Sequence, residues 1–313
     1  MKTIYRIALA SFILTACHST IKHNDVLADS TTNIVPTATA FPIPNANKNT
    51  IVGSPEDLIG YWAGSFFPSY DSTDEEEHGE DLSDQSNKIN ISIDTVTGEK
   101  VIGHTVLAGK FRKLNGSYVL KNEKYSFKLQ QPGDDKYDGS FEFAIGKNDS
   151  IIKGKWVSFK KDSLEKREYE LKKKFFVYNP NQQLEEGRYG DWKNTKLKKI
   201  KTGDNDSDYY KEEQYLSTTD DLFKYNSSKQ LLSDAQVANL KKADIIILRN
   251  SIYARHGFAF KRKQLSVYFD NQDWYLPVYG DVGNELTDVE KKNIALLLKY
   301  EKNAKEYYDR FGR

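Results

Sequence analysis

The chain has 313 residues, with 46 basic and 45 acidic side chains and a formal net charge of +1. This balance leaves no excess of positive charge for a polyphosphate backbone, so we expect no nucleic-acid partner. The single cysteine excludes an internal disulfide, so a fold of this length, typical of two domains, must be stabilised by buried cores.

Residues 1–16 have the order of charges and apolar residues of a secretory signal peptide. Lys2 and Arg6 precede the apolar run 7–14, which is too short to span a bilayer as a mature helix. The next residues, Leu14-Thr15-Ala16-Cys17, resemble a bacterial lipobox. The resemblance implies cleavage before Cys17, lipidation of its thiol and a membrane as partner. An ordinary cleaved signal with an incidental cysteine is the alternative.

Two segments lack any hydrophobic period. Residues 17–50 are rich in Thr, Asn, Ala and Pro, which predicts a tether that holds the folded part away from the lipid. Residues 71–87 are dominated by carboxylates, and like charges resist collapse. The spacing of a calcium-binding loop is missing there, so we favour a solvated loop over a cation site.

Residues 51–178 read as a succession of short strands. Ile89, Ile91 and Ile93 alternate with polar residues, several later runs do the same, and turn signals separate them. Roughly eight strands without an intervening helix predict an antiparallel, up-and-down β-barrel. Gly60-Tyr61-Trp62 resembles the G-x-W of lipocalin-like barrels, which implies that Trp62 closes one end. The pattern leaves open whether the barrel is packed or carries an apolar ligand.

The polar stretch 179–228 is predicted to be an interdomain linker. Its basic run 193–201 is followed by an acidic one. An anionic lipid or an acidic partner would suit the lysines. However, Leu197 and Ile200 within the run favour a short strand with solvated lysines.

A helical period begins in the last segment, residues 229–313. Ser233–Gln236 and Thr287–Glu290 both fit the capping box that begins a helix. Between them, Asp244 is expected to cap a second helix that ends at Gly257, and "KQLSVYFD" forms a third. The buried stripe of the last helix is expected to continue through Tyr308 and Phe311.

One motif in this segment is specific. Residues 248–257 read LRNSIYARHG, and Phe260, Leu265, Tyr268-Phe269, Trp274-Tyr275 and Glu290–Ile294 follow at matching positions. The segment resembles the YARHG domain over roughly 229–311. The resemblance implies an extracellular bacterial location, often on lipoproteins, and no established activity. The predicted fold class is therefore α+β, an N-terminal antiparallel barrel of the calycin or lipocalin-like kind followed by a small all-α YARHG domain.

The binding candidates are Tyr253, Arg255, His256, Trp274 and Tyr275. In the structural interpretation, His256 donates to carbonyl groups that lack a donor at the end of a helix. Arg255 makes a bidentate hydrogen bond to a carboxylate of the last helix, Glu290 or Glu301. In the binding interpretation, the same residues hold an anion or a glycan. In the catalytic interpretation, His256 is a general base and Arg255 holds an anionic substrate.

No nucleophile motif accompanies His256, and the other histidines have no zinc spacing. We therefore predict no cofactor, no metal and no catalytic residue. The preferred function is that of a non-enzymatic lipoprotein of the bacterial envelope, with an envelope glycan, lipid or protein as ligand. The alternatives are a barrel that carries a small apolar ligand and a hydrolase centred on Arg255 and His256.

Overall fold

The computed structural model describes residues 51–69, 87–160, 166–185, 187–205 and 207–310. The predicted signal peptide, Cys17, the tether, nearly all of the acidic segment 71–87 and Phe311 lie outside these residues. In the part of the chain that is described, no helix has the length and apolar character needed to cross a membrane.

The first part of the described chain is a closed, eight-stranded antiparallel barrel, as predicted. Each strand pairs with its neighbour in sequence, and β1 closes the barrel against β8. The strands are β1 Gly60–Pro68, β2 Asn87–Thr97, β3 Lys100–Leu107, β4 Lys110–Lys121, β5 Lys124–Gln130, β6 Gly139–Gly146, β7 Ile151–Ser158 and β8 Lys166–Lys174.

Large side chains fill the barrel interior. In β5, Tyr125, Phe127 and Leu129 are buried while the residues between them are exposed, because successive side chains of a strand point to opposite faces. Phe127 stacks on Phe143 with ring centroids 4.6 Å apart. A carrier of an apolar ligand needs a cavity here, and these positions are occupied by packed rings.

Trp62 of β1 is fully buried in the barrel core and is joined to the segment that precedes its strand. A 3-10 helix at Pro55–Leu58 precedes β1. The indole Nε1 of Trp62 donates to the Leu58 carbonyl oxygen at 2.8 Å, and both side chains are fully buried. The hydrogen bond satisfies the polar atom of a buried tryptophan and ties the 3-10 helix to β1.

The stretch expected to be a linker contains a β-hairpin. Strands β9 Gly190–Lys201 and β10 Tyr209–Ser217 pair with each other, and β10 also pairs with β11, Tyr308–Asp309. The outer part of β9 is solvated on both faces, with Leu197 67% exposed, which explains why its sequence lacks an amphipathic period. Its base is held to the helical domain because Tyr189 and Leu216 are buried in the core of that domain.

Four α-helices follow within the described residues: α1 Asp234–Val237, α2 Lys242–Arg255, α3 Lys263–Asp270 and α4 Asp288–Glu301. Both predicted capping boxes are present, at Ser233 and at Thr287.

Two helix ends differ from the sequence-based expectation. The N-cap of α2 is Lys241, and Asp244 lies one turn inside, where it accepts from the Lys241 and Thr219 amides. Helix α4 ends at Glu301 because the chain turns there and Tyr308 pairs with Leu216 of β10.

The barrel and the helical domain contact each other directly. Tyr61 and Ala63 on the outer face of β1 pack against Leu276 and Val278. Asn90 of β2 donates to the Pro277 carbonyl oxygen at 2.9 Å. The two domains therefore share one buried interface.

Candidate functional site

The YARHG motif forms the C-terminal cap of α2. The Phe258 amide donates to the Tyr253 carbonyl and the Gly257 amide to the Ala254 carbonyl, at 3.1 and 2.9 Å. These are the two hydrogen bonds of a Schellman motif, and the rings of Tyr253 and Phe258 supply its apolar contact, with centroids 6.1 Å apart. The motif thus encodes the end of a helix and fixes the direction of the Arg255 and His256 side chains.

Gly257 is required at this turn for two reasons. Its φ of 76° lies in the left-handed region that side chains disfavour. A Cβ added there would lie 2.6 Å from Val278 Cγ2 and 2.7 Å from Phe176 Cε2. The turn therefore packs against Phe176, which follows the last barrel strand.

His256 is directed into the protein. Its Nε2 lies 2.8 Å from Oε2 of Glu290, at the start of α4, and its ring stacks on Tyr178 with centroids 4.2 Å apart. Only 5% of His256 is exposed, and Glu290 is fully buried. The expectation that the imidazole donates to the open carbonyls of α2 is wrong, because those carbonyls are satisfied by the backbone turn itself.

Glu290 is the centre of a polar cluster. Its carboxylate accepts from the amide and the hydroxyl of Thr287 and from the Tyr178 hydroxyl. Burial opposes ionisation, but hydrogen bonds from His256, Ser228 and the Thr287 amide outweigh it and lower the pKa of Glu290 to about 2. Burial and the nearby carboxylate raise the pKa of Tyr178 to about 12. The cluster thus contains a buried carboxylate that several converging hydrogen bonds stabilise.

The ion pair expected of Arg255 is made by Arg249. The guanidinium Nε and Nη2 of Arg249 donate to the two carboxylate oxygens of Glu301, at 2.9 and 3.4 Å. This bidentate pair ties the middle of α2 to the end of α4. The prediction that Arg255 pairs with Glu290 or Glu301 is therefore wrong. The packing of α2 on α4 places Arg249 against Glu301 and leaves Arg255 beside Gln182.

Arg255 is a buried cation held by neutral groups. Its Nε donates to the Gln182 carbonyl oxygen at 2.9 Å, and its Nη1 donates to the hydroxyls of Ser251 and Ser228 at 2.8 and 3.3 Å. Among the described residues, no acceptor contacts Nη2 and no carboxylate lies within 4 Å of the guanidinium. Only 3% of Arg255 is exposed, and burial lowers the pKa of this guanidinium to about 10.

Arg255 lines a surface pocket of about 330 Å³. One wall comes from residues 175–182, which leave the barrel after β8, and the other from Ala254, Trp274 and Leu276. The Trp274 ring lies 5.8 Å from the guanidinium carbon and is fixed by its Nε1, which donates to the Gln183 carbonyl at 2.8 Å. The pocket therefore combines a buried cation with aromatic walls.

The structure divides the five candidate residues into two groups. Arg255 and Trp274 line the pocket. Tyr253 belongs to the helix cap, His256 lies behind Arg255 against Glu290, and the Tyr275 hydroxyl donates to the Phe258 carbonyl within the core. The catalytic interpretation needs a His256 nitrogen directed at a substrate, and its Nε2 is engaged by Glu290.

Sequence reasoning missed the wall formed by residues 175–182. Phe175, Phe176 and Tyr178 belong to it, together with the amide side chains of Asn179 and Gln182. The one signal that would have indicated it is the aromatic run at 175–178, which continues past the last strand without a strand period. No group of three or more potential metal ligands occurs within the described ranges.

A second pocket, of about 540 Å³, lies between α1 and the end of α4. The charged side chains that line it are Lys241, Lys299 and Lys305, all of them exposed or half-buried. Water already hydrates the charges of these lysines, so they need no ligand to compensate a cost of burial. The pocket beside Arg255 is therefore the better candidate.

A family model for the YARHG domain matches residues 221–302. The domain expected from the sequence is confirmed, and the match begins at the 3-10 helix Asp220–Lys224, ahead of residue 229. No curated protein and no solved structure matches the chain. The fold and the match together define a closed β-barrel joined to a YARHG domain.

Proposed function

We propose that this protein is a lipid-anchored protein of the bacterial envelope that binds a ligand, without transforming it, in the pocket between residues 175–182 and the YARHG motif. One observation carries the proposal. Arg255 is only 3% exposed, lines that pocket, and has no carboxylate partner within 4 Å in the described parts of the chain.

The energetics of a buried charge support a binding role. A buried cation is costly unless it is paired. Here three hydrogen bonds to uncharged acceptors compensate it directly, and the charge of Glu290 attracts it without a direct contact. An anionic or strongly polar group entering the pocket would add the missing partner at Nη2. The same side chain in a purely structural role would gain from a direct carboxylate, as Arg249 does from Glu301.

The location rests on two sequence features. Cys17 ends a lipobox-like stretch, and YARHG domains occur in extracellular or periplasmic proteins. A lipidated Cys17 would hold the pocket in the envelope, which makes an envelope component the expected ligand. The carrier and hydrolase alternatives gain no such support, because the barrel is filled and His256 is engaged by Glu290.

A blocking variant tests the site. Val177 lines the pocket and is 77% exposed, so Val177→Trp should fill the pocket without disturbing the core. Ile102→Trp, at a 54% exposed position on barrel strand β3, is the matched control. A panel of acidic, neutral and basic small molecules is screened by calorimetry against the full-length parent protein and both variants.

We expect at least one compound to bind the parent and Ile102→Trp equally and to lose most of its affinity for Val177→Trp. Binding that survives Val177→Trp would place the site elsewhere. An absence of binding across the whole panel would refute the proposal.

A further inference from the structure

The pocket beside Arg255 has a chemistry that narrows the ligand class. We infer that it takes an acidic monosaccharide unit, a sugar ring that carries a carboxylate. This inference rests on the proposed binding function and goes beyond it by naming the ligand. Three features of the pocket support it: the free part of the guanidinium, the amide side chains and the aromatic faces.

The first feature is the position of the free donors of Arg255. Nε and Nη1 are occupied by Gln182, Ser251 and Ser228, so Nη2 is the nitrogen left to a ligand. A guanidinium nitrogen donates best to an ionised oxygen, and a charge-assisted bond of this kind is shorter and stronger than a neutral one. A ligand carboxylate at Nη2 would also relieve the cost of burying the cation. The ligand should therefore carry one negative charge.

The second feature is a set of amide groups on the wall formed by residues 175–182. Asn179 and Gln182 line the pocket and are half-buried. The Asn179 carbonyl Oδ1 accepts from the Asn181 amide, which leaves its Nδ2 without an acceptor among the described residues. The Gln182 side-chain amide makes no hydrogen bond within these residues either. Amide groups both donate and accept, which matches the hydroxyl groups of a sugar.

The third feature is the presence of aromatic side chains on both walls. Trp274 lies on one wall and is partly exposed, and Phe175, Phe176 and Tyr178 lie on the other wall beside the amides. Aromatic rings offer apolar, electron-rich faces, and a sugar ring has apolar C–H faces that pack against them between its hydroxyl groups. A purely aromatic acid would satisfy these rings and leave the amides without partners.

The volume agrees with a single unit. About 330 Å³ lies at the lower end of the range of ligand pockets. It admits one ring with its substituents. The unit is either a free sugar acid or one residue of a glycan, and both present the same ring and carboxylate.

The test compares three probes by calorimetry: sodium glucuronate, glucose and sodium benzoate. Glucuronate should bind at least tenfold more tightly than either of the others, since glucose lacks the charge and benzoate lacks the hydroxyl groups. Equal binding of glucose would overturn the role of Nη2. Tighter binding of benzoate would overturn the sugar class.

A second experiment changes the charge at Val177, at the edge of the pocket. Val177→Glu places a carboxylate beside Arg255, and Val177→Gln is its matched neutral control. Glucuronate should bind Val177→Glu at least fivefold more weakly than Val177→Gln. Equal affinities would overturn the electrostatic part of the inference.

Failure of the inference is distinct from failure of the proposed function. If glucuronate does not bind but another compound binds in a manner that Val177→Trp abolishes, the pocket is a binding site and the ligand class is wrong. If no compound binds, both fail. The methyl glycoside of glucuronate separates the two sources: retained binding assigns a residue of a glycan, and lost binding assigns the free sugar acid.

Discussion

His256 Nε2 lies 2.8 Å from Glu290 Oε2, and this contact joins the last turn of α2 to the first turn of α4. The two residues are 34 positions apart in sequence, so the contact fixes the packing of the two longest helices. It also places Tyr178, stacked on the imidazole, beside the pocket. The cluster therefore stabilises the domain and positions one wall of the candidate site.

Glu290→Gln should destabilise the protein in a pH-dependent way. The pKa of Glu290 falls from its ordinary 4.5 to about 2 on folding, so its contribution is complete above pH 4.5 and is lost as the pH falls towards 2. At pH 7 the loss should be roughly 2–3 kcal/mol. Urea unfolding at several pH values measures it, and the gap between parent and variant should narrow below pH 4.5.

Exposed Glu285, on the same approach to α4, supplies the control. Glu285→Gln should leave the free energy of unfolding close to that of the parent at every pH. A gap for Glu290→Gln that stays constant from pH 7 to pH 2.5 would contradict the linkage.

Gly257→Ala should cost more than the same change at Gly98. Both glycines have positive φ, 76° and 58°, so each alanine bears a backbone strain of about 1 kcal/mol. At Gly257 the new Cβ also meets Val278 and Phe176 within 2.7 Å, whereas nothing lies within 4 Å at Gly98. The overpacking should add roughly 1–3 kcal/mol. If both variants lose the same free energy of unfolding in urea, Val278 and Phe176 can move aside without destabilising the protein.

The Arg249–Glu301 pair should behave as a coupled unit. Glu301→Leu leaves a buried guanidinium without its partner and should cost roughly 3 kcal/mol. Arg249→Met combined with Glu301→Leu should recover most of that loss, because apolar groups often replace a buried pair at little cost. A double-mutant cycle measures the coupling. Losses that simply add would mean that the two side chains do not depend on each other.

Cys17→Ser should abolish lipid attachment. The lipobox-like residues 14–17 motivate this prediction, and Cys17 lies outside the described residues. Metabolic labelling with a fatty acid should mark the parent protein and leave the variant unlabelled. Equal labelling of both proteins would exclude this anchor.

The parts of the fold that sequence reasoning predicted depend on local patterns. The alternation of Ile89, Ile91 and Ile93 predicts a strand with one apolar face because neighbouring side chains point to opposite faces, and all three isoleucines are buried. The capping boxes at Ser233 and Thr287 are formed within four consecutive residues. Gly257 could be placed for the same reason, since a helix cap is closed by its own backbone.

The parts that it missed depend on contacts between distant segments. Arg249 and Arg255 lie on the same helix and carry the same group, so their sequence does not reveal which of them faces Glu301. The packing of α2 on α4 decides it. The short strand expected within 193–201 is present as β9, but its pairing with β10, and that of β10 with β11 near residue 308, join segments that local patterns do not connect.

The two walls of the pocket have different origins. Arg255 and Trp274 lie within the YARHG match at 221–302, whereas residues 175–182 precede it and continue directly from the barrel. A protein that joined the same YARHG domain to another upstream fold would keep the cation and exchange the facing wall. Selectivity at this site would then be combinatorial: the shared domain sets the charge of the ligand, and its neighbour sets the shape.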